Sequence, residues 1–115
     1  MIEAIFDKHE DALSLRLTGH AGYAEHGKDI ICASASILVY TVAQMMTDLF
    51  VQGKMVESPM IRLVDGYAVV KSRPTKEGYS DALQTLLVAQ TGFELLHHNY
   101  PDYVHVIKIG EALKP

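Results

Sequence analysis

Hydrophobic residues along the chain change period several times, and each change predicts an element. Ile2, Ala4 and Phe6 alternate with Met1, Glu3 and Ile5, which reads as a strand apolar on both faces over 1–6. Asp7 to Asp11 is polar enough to turn the chain. Leu13, Leu15 and Leu17 then alternate with Ser14, Arg16 and Thr18, the period of a strand with one buried face. Residues 18–28 carry Gly19, Gly22 and Gly27 and predict a loop that bends or moves.

Asp29 is a good N-cap, with Cys32 then the third residue of a helix running to about Phe50 and stopping before Gly53. Its apolar steps are Leu38, Val42, Met45 and Leu49. Ala33, Ser34, Ala35 and Ser36 keep its first turns narrow enough for close packing or a ligand. Two strands, 60–64 and 67–71, flank Asp65-Gly66, a strong hairpin signal. Ser80 is the candidate cap of a second helix through Leu83, Leu86, Leu87, Phe93 and Leu96, with Gly92 a weak point. Tyr100-Pro101-Asp102 turns the chain into a last strand over 103–109. The order ββαββαβ predicts a single small α+β domain, 1–115, with two helices packed on a mixed or antiparallel sheet.

Composition narrows the function classes. A chain of 115 residues is one domain, and 49% hydrophobic with 21% charged residues is the balance of a folded soluble one. A net charge of -4 and a pI near 5.8 argue against a direct nucleic-acid partner, which needs a basic surface. Residues 30–47 contain no charge. Ser34, Ser36, Tyr40, Thr41 and Gln44 dilute that stretch and no basic cluster flanks it, so it reads as a buried helix and no membrane partner is expected. A lone Cys forms no internal disulfide and the N-terminus lacks an export pattern, so the expected compartment is the cytoplasm. His97 and His98 are adjacent rather than one helical turn apart, and no second Cys exists, so neither metal nor cofactor is expected.

The chemistry gathers at Cys32. The first turn of a helix offers unpaired N–H groups and the positive end of the macrodipole, and both favour a thiolate over a thiol. His20, just past the second strand, is the candidate base: an imidazolium beside the thiol stabilises the thiolate at neutral pH, where an isolated thiol is mostly protonated. Free helix N–H groups, with the N–H of Cys32 itself, are candidate holders of an oxyanion. Other readings stand beside this one. By composition a lone Cys in an apolar helix is a small hydrophobe. His26 is a rival base, Ser36 lies one turn beyond Cys32 on the same face, and Asp29 either caps the helix or orients His20.

Gly19-His20-Ala21, Gly27, Asp29, Cys32-Ala33 and Ser36 fit the pattern GHA-x5-G-x-D-x2-CA-x2-S. In residue type and spacing this resembles the signature of the Prp family, the ribosomal-processing cysteine proteases. The likeness extends to the Asp-Gly hairpin and to the YPDYVHV stretch, 100–106. The resemblance implies a cysteine endopeptidase that removes a short N-terminal extension from a large-subunit ribosomal protein and acts as a homodimer. It makes Cys32 the nucleophile and His20 its base, with Gly19, Asp29 and Ser36 at further motif positions. It also implies that the loop 21–28 rearranges to admit substrate, and the local sequence is compatible, with Gly22 and Gly27 as candidate hinges and Tyr23 as a candidate grip on an extended apolar peptide. The rival readings are a non-catalytic ribosome-assembly binding module and a thiol hydrolase acting on small esters or thioesters.

Overall fold

The structure, a computed structural model, describes residues 1–25 and 29–110. Seven elements follow one another as β1 (Ile2–His9), β2 (Ala12–Gly19), α1 (Ile30–Val51), β3 (Met60–Val64), β4 (Tyr67–Ser72), α2 (Tyr79–Asn99) and β5 (Val104–Gly110). The strands form one mixed sheet in the order β3-β4-β2-β1-β5, in which β1 and β5 run parallel and the other neighbours antiparallel. The expected ββαββαβ order and the two-helix, one-sheet architecture hold.

The period-two patterns become one buried sheet face. Register sets Ala4 opposite Leu17 and Phe6 opposite Leu15, and Leu15 in turn opposite Val70, so these side chains share a face. Both helices pack there. The core joins Ile2, Phe6, Leu13, Leu15 and Val70 of the sheet to Ile31, Val39, Val42 and Met46 of α1 and to Leu86 and Phe93 of α2. Phe6 and Phe93 meet edge to face at 6.0 Å. The charge-free stretch is thus a core helix of the domain, although it is long and apolar enough by composition to cross a bilayer.

Three local expectations shift. The buried stripe of α1 runs through Ile31, Ala35, Val39, Val42, Met46 and Leu49, so Val42 and Leu49 are buried as the steps suggest while Met45 is 42% exposed and Leu38 half-buried. The helix also exposes Ile30, Ile37, Tyr40, Phe50 and Val51, so apolar periodicity alone could not choose its inner face. Ser80 does not cap α2: the helix starts at Tyr79 after Gly78, with no side-chain cap. Gly92 is a packing site rather than a weakness, because a Cβ there would stand 2.8 Å from Leu38 Cδ2, where the two helices meet.

Candidate active site

Asp29 begins α1 as the sequence predicts. Its Oδ1 accepts the N–H groups of Ile31 and Cys32, both at 3.0 Å, while its carbonyl accepts that of Ala33. Its Oδ2 reaches back to the preceding loop and accepts the N–H groups of Tyr23 at 3.0 Å and Ala24 at 3.3 Å. One buried carboxylate thereby ties the loop to the helix. Burial, the largest single influence, favours the protonated acid, yet the four N–H groups of Cys32, Ala24, Tyr23 and Ile31 together outweigh it and hold the carboxyl below its ordinary value of 3.8. With both oxygens committed to backbone donors, Asp29 is a cap and a tie, not the partner of His20.

Cys32 is the third residue of α1 and is half-buried. The loop folds back onto it, so that the Ala21 N–H donates to Sγ at 3.4 Å. The expectation for the oxyanion site changes here: the Cys32 N–H already serves the Asp29 cap, and the donor aimed at the sulfur is that of Ala21.

His20 sits just beyond β2 and is fixed through its backbone. The Met1 amine donates to its carbonyl oxygen. The N–H of Gly19 donates to the carbonyl of Gly66 at 2.9 Å, which fastens the end of β2 to the β3–β4 turn. Gly19 is required there: its φ is +89°, and a Cβ would stand 2.2 Å from the Met1 carbonyl oxygen. The His20 ring lies against the hairpin tip, Nδ1 4.0 Å from Asp65 Oδ1. Among the described residues no hydrogen bond joins His20 to Cys32.

A cleft of about 920 Å³ brings these groups together. The end of β2 with His20, the N-terminal half of α1 with Cys32, Ser36 and Tyr40, and the hairpin tip with Asp65 and Tyr67 form its walls. Gly19, Gly22 and Asp29 also border it. Tyr23 does not. Its ring packs edge to face on Tyr100 at 5.8 Å and Tyr103 at 5.3 Å, outside the cleft lining. Gly27 and His26 lie outside the described residues. His97 has a structural contact, its Nδ1 2.6 Å from the carbonyl oxygen of Val104 at the start of β5.

Sequence reasoning missed the hairpin tip as part of the site. Asp65-Gly66 carried a turn signal and nothing in it pointed across the sheet to His20. Tyr40 was read only as a polar interruption of an apolar run, although it stands two turns beyond Cys32 on the cleft side.

Comparison with known proteins places the fold. The family model for the cysteine protease Prp matches residues 1–105. The ribosomal processing cysteine protease Prp of Bacillus subtilis is 43% identical over 42 residues, a stretch that spans 35% of this chain and 38% of that relative. The crystal structure of the ribosomal processing protease Prp of S. aureus with a covalently linked product peptide superposes with a TM-score of 0.72 at 20% identity, over 95% of this chain and 100% of that one. A Streptococcus mutans protein of known crystal structure superposes with a TM-score of 0.68 at 28% identity, over 96% of each chain.

Proposed function

The chain belongs to the cysteine protease Prp family, and on that footing we propose that it is an endopeptidase that removes a short N-terminal extension from a large-subunit ribosomal protein. One observation carries the reading: the only cysteine lies in the first turn of a capped helix and shares a cleft with His20. In the proposed reaction His20 takes the Cys32 proton, and the thiolate attacks the scissile carbonyl carbon to give a tetrahedral oxyanion. The Ala21 N–H, which donates to the sulfur at 3.4 Å, is the proposed donor to that oxyanion. His20 then protonates the departing amine as the C–N bond breaks, leaving a thioester. Water attacks the thioester, His20 accepts its proton, and the acid product leaves as the thiolate is restored.

Loop motion belongs to the same reading. His20 and Cys32 are not hydrogen-bonded here, so closure of the loop 21–28 over bound peptide is proposed to bring them together. Slower amide exchange across that loop with peptide bound supports this; exchange that is no slower rejects it. We further propose a cytoplasmic homodimer, the exposed Ile37 of α1 and Met60 and Ile61 of β3, which lie outside the cleft lining, supplying apolar surface for association. A sedimentation experiment showing only monomer would overturn the dimer.

The deciding experiment is intact-mass spectrometry of an N-terminally extended ribosomal substrate with wild-type protein and with Cys32→Ala. A single species shortened at its N-terminus, with wild type only, is the expected result. A substrate that stays whole yet co-elutes with both proteins replaces the protease by a non-catalytic assembly module. Hydrolysis of small thioesters alone replaces it by a thiol hydrolase.

A further inference from the structure

His20 needs a partner that fixes its ring, and the described residues offer one carboxylate in range. Asp29 is excluded by its four backbone donors. Asp65 Oδ1 stands 4.0 Å from His20 Nδ1, ion-pair range and longer than a hydrogen bond. Its placement is built rather than incidental. The Gly19–Gly66 backbone bond clamps the end of β2 to the hairpin tip directly beside the pair. Gly66 has φ +76°, and a Cβ on it would stand 2.9 Å from His20 Nε2 and 3.5 Å from Cε1, so the turn presents a bare backbone against which the ring rests. Other ionisable groups nearby are Cys32, Asp29, Tyr40 and Tyr67 along the cleft and the Met1 amine on the His20 carbonyl. Apart from Asp29, none of these is a carboxylate.

We propose that Asp65 is the positioning residue of His20: its carboxylate lies on the Nδ1 side and favours the ring proton there, so that Nε2, once the ring turns off Gly66 as the site closes, takes the proton of Cys32. The proposal rests on His20 being the base of the reaction above. When Nε2 takes that proton the ring becomes an imidazolium, and the carboxylate stabilises it and, through it, the thiolate. A hairpin that reads as a mere turn thus becomes the third support of the pair. The side chains of His20 and Asp65 are 56% and 75% exposed, so solvent screens the interaction and its effect is of modest size.

The test uses the alkylation rate of Cys32 by a peptidyl chloromethyl ketone, whose peptide part lets the loop close while no peptide bond need be cut, alongside kcat and KM on an extended peptide. Asp65→Asn is expected to slow alkylation near neutral pH by about two- to fivefold, with no effect at strongly alkaline pH, where the thiol ionises unaided. kcat falls by a similar factor at unchanged KM, Asp65→Glu restores both rates, and in a His20→Ala background Asp65→Asn changes nothing. Alkylation as fast as or faster than wild type in Asp65→Asn makes the carboxylate only a negative charge near the thiol and overturns the proposal. So does an effect that survives without His20. If alkylation follows the expected pattern while no peptide is cut, the endopeptidase reading fails and the Asp65–His20 link stands.

Discussion

The two helices begin in opposite ways, although both start beside a loop and present their third residue near the surface. In α1 that residue is Cys32, and a buried carboxylate, Asp29, satisfies the first N–H groups while the first turn carries no acidic side chain. In α2 the third residue is Asp81, the capping position is Gly78 without a side chain, and Asp81 itself pairs with Lys54 Nζ at 3.0 Å in solvent. Gly78 is fixed by sterics: a Cβ there would stand 2.1 Å from the Lys54 carbonyl oxygen. One helix start is thus held by hydrogen bonds that also secure a loop, the other by close backbone packing. The difference bears on why the proposed site lies at the first. At α2 the positive end of the dipole is already met by a fixed acid, whereas at α1 the acid sits in the capping position and leaves the third residue to a thiol.

The largest break in this comparison is Cys32→Ala, expected to lower cleavage about a thousandfold or more, while Asp81→Ala at the matching position of α2 leaves turnover unchanged. Intact-mass assays of both variants decide it. Next in size is Asp29→Ala, which strips four N–H groups of their acceptor and is expected to lower unfolding free energy by about 2–4 kcal/mol in urea titrations. Ser80→Ala, at the position that looks like a cap in the sequence, changes stability by less than about 0.5 kcal/mol. Gly78→Ala comes third, at about 1–3 kcal/mol from forced backbone displacement, with iodoacetamide labelling of Cys32 in the folded protein unaltered.

The smallest effect is one of acidity. Folding holds Asp29 below its ordinary value of 3.8, so the unfolded chain takes up its proton first as pH falls. The charge-dependent part of the stability that Asp29 contributes is therefore complete above the unfolded value and is lost as pH drops through the lower, folded one. The gap in unfolding free energy between wild type and Asp29→Ala is expected to be constant at neutral pH and to narrow below about pH 4. A gap that persists undiminished at strongly acidic pH would show that the cap acts without its charge.

Much of the site was legible because it is local. Capping by Asp29 acts within three residues, so the sequence placed Cys32 correctly in the first turn of its helix. Asp65-Gly66 was legible as a turn for the same reason. Its approach to His20 was not, because the two are joined only through the β2–β4 pairing that brings Thr18 opposite Tyr67. Tyr23, read as a grip on peptide, instead packs on Tyr100 and Tyr103, residues that reach it only after α2 has carried the chain back across the domain. The Cys32 N–H, read as an oxyanion donor, is the very group that its cap uses.

What the sequence determined by itself were the elements and their ends where short-range forces rule: alternation for the strands, the Asp29 cap, the hairpin turn, and a thiol in a helix's first turn. Tertiary structure decided the rest. It chose Met46 over Met45 for the core, since an α1 apolar on most sides has no inner face until α2 and the sheet pack against it. It started α2 at Tyr79, because Gly78 fits against Lys54. It set β5 parallel to β1 at the sheet edge and carried the hairpin tip to His20. Capping and alternation act over a few residues and are written in the chain order, whereas strand pairing and side-chain burial depend on groups far apart in sequence that meet only in the folded domain.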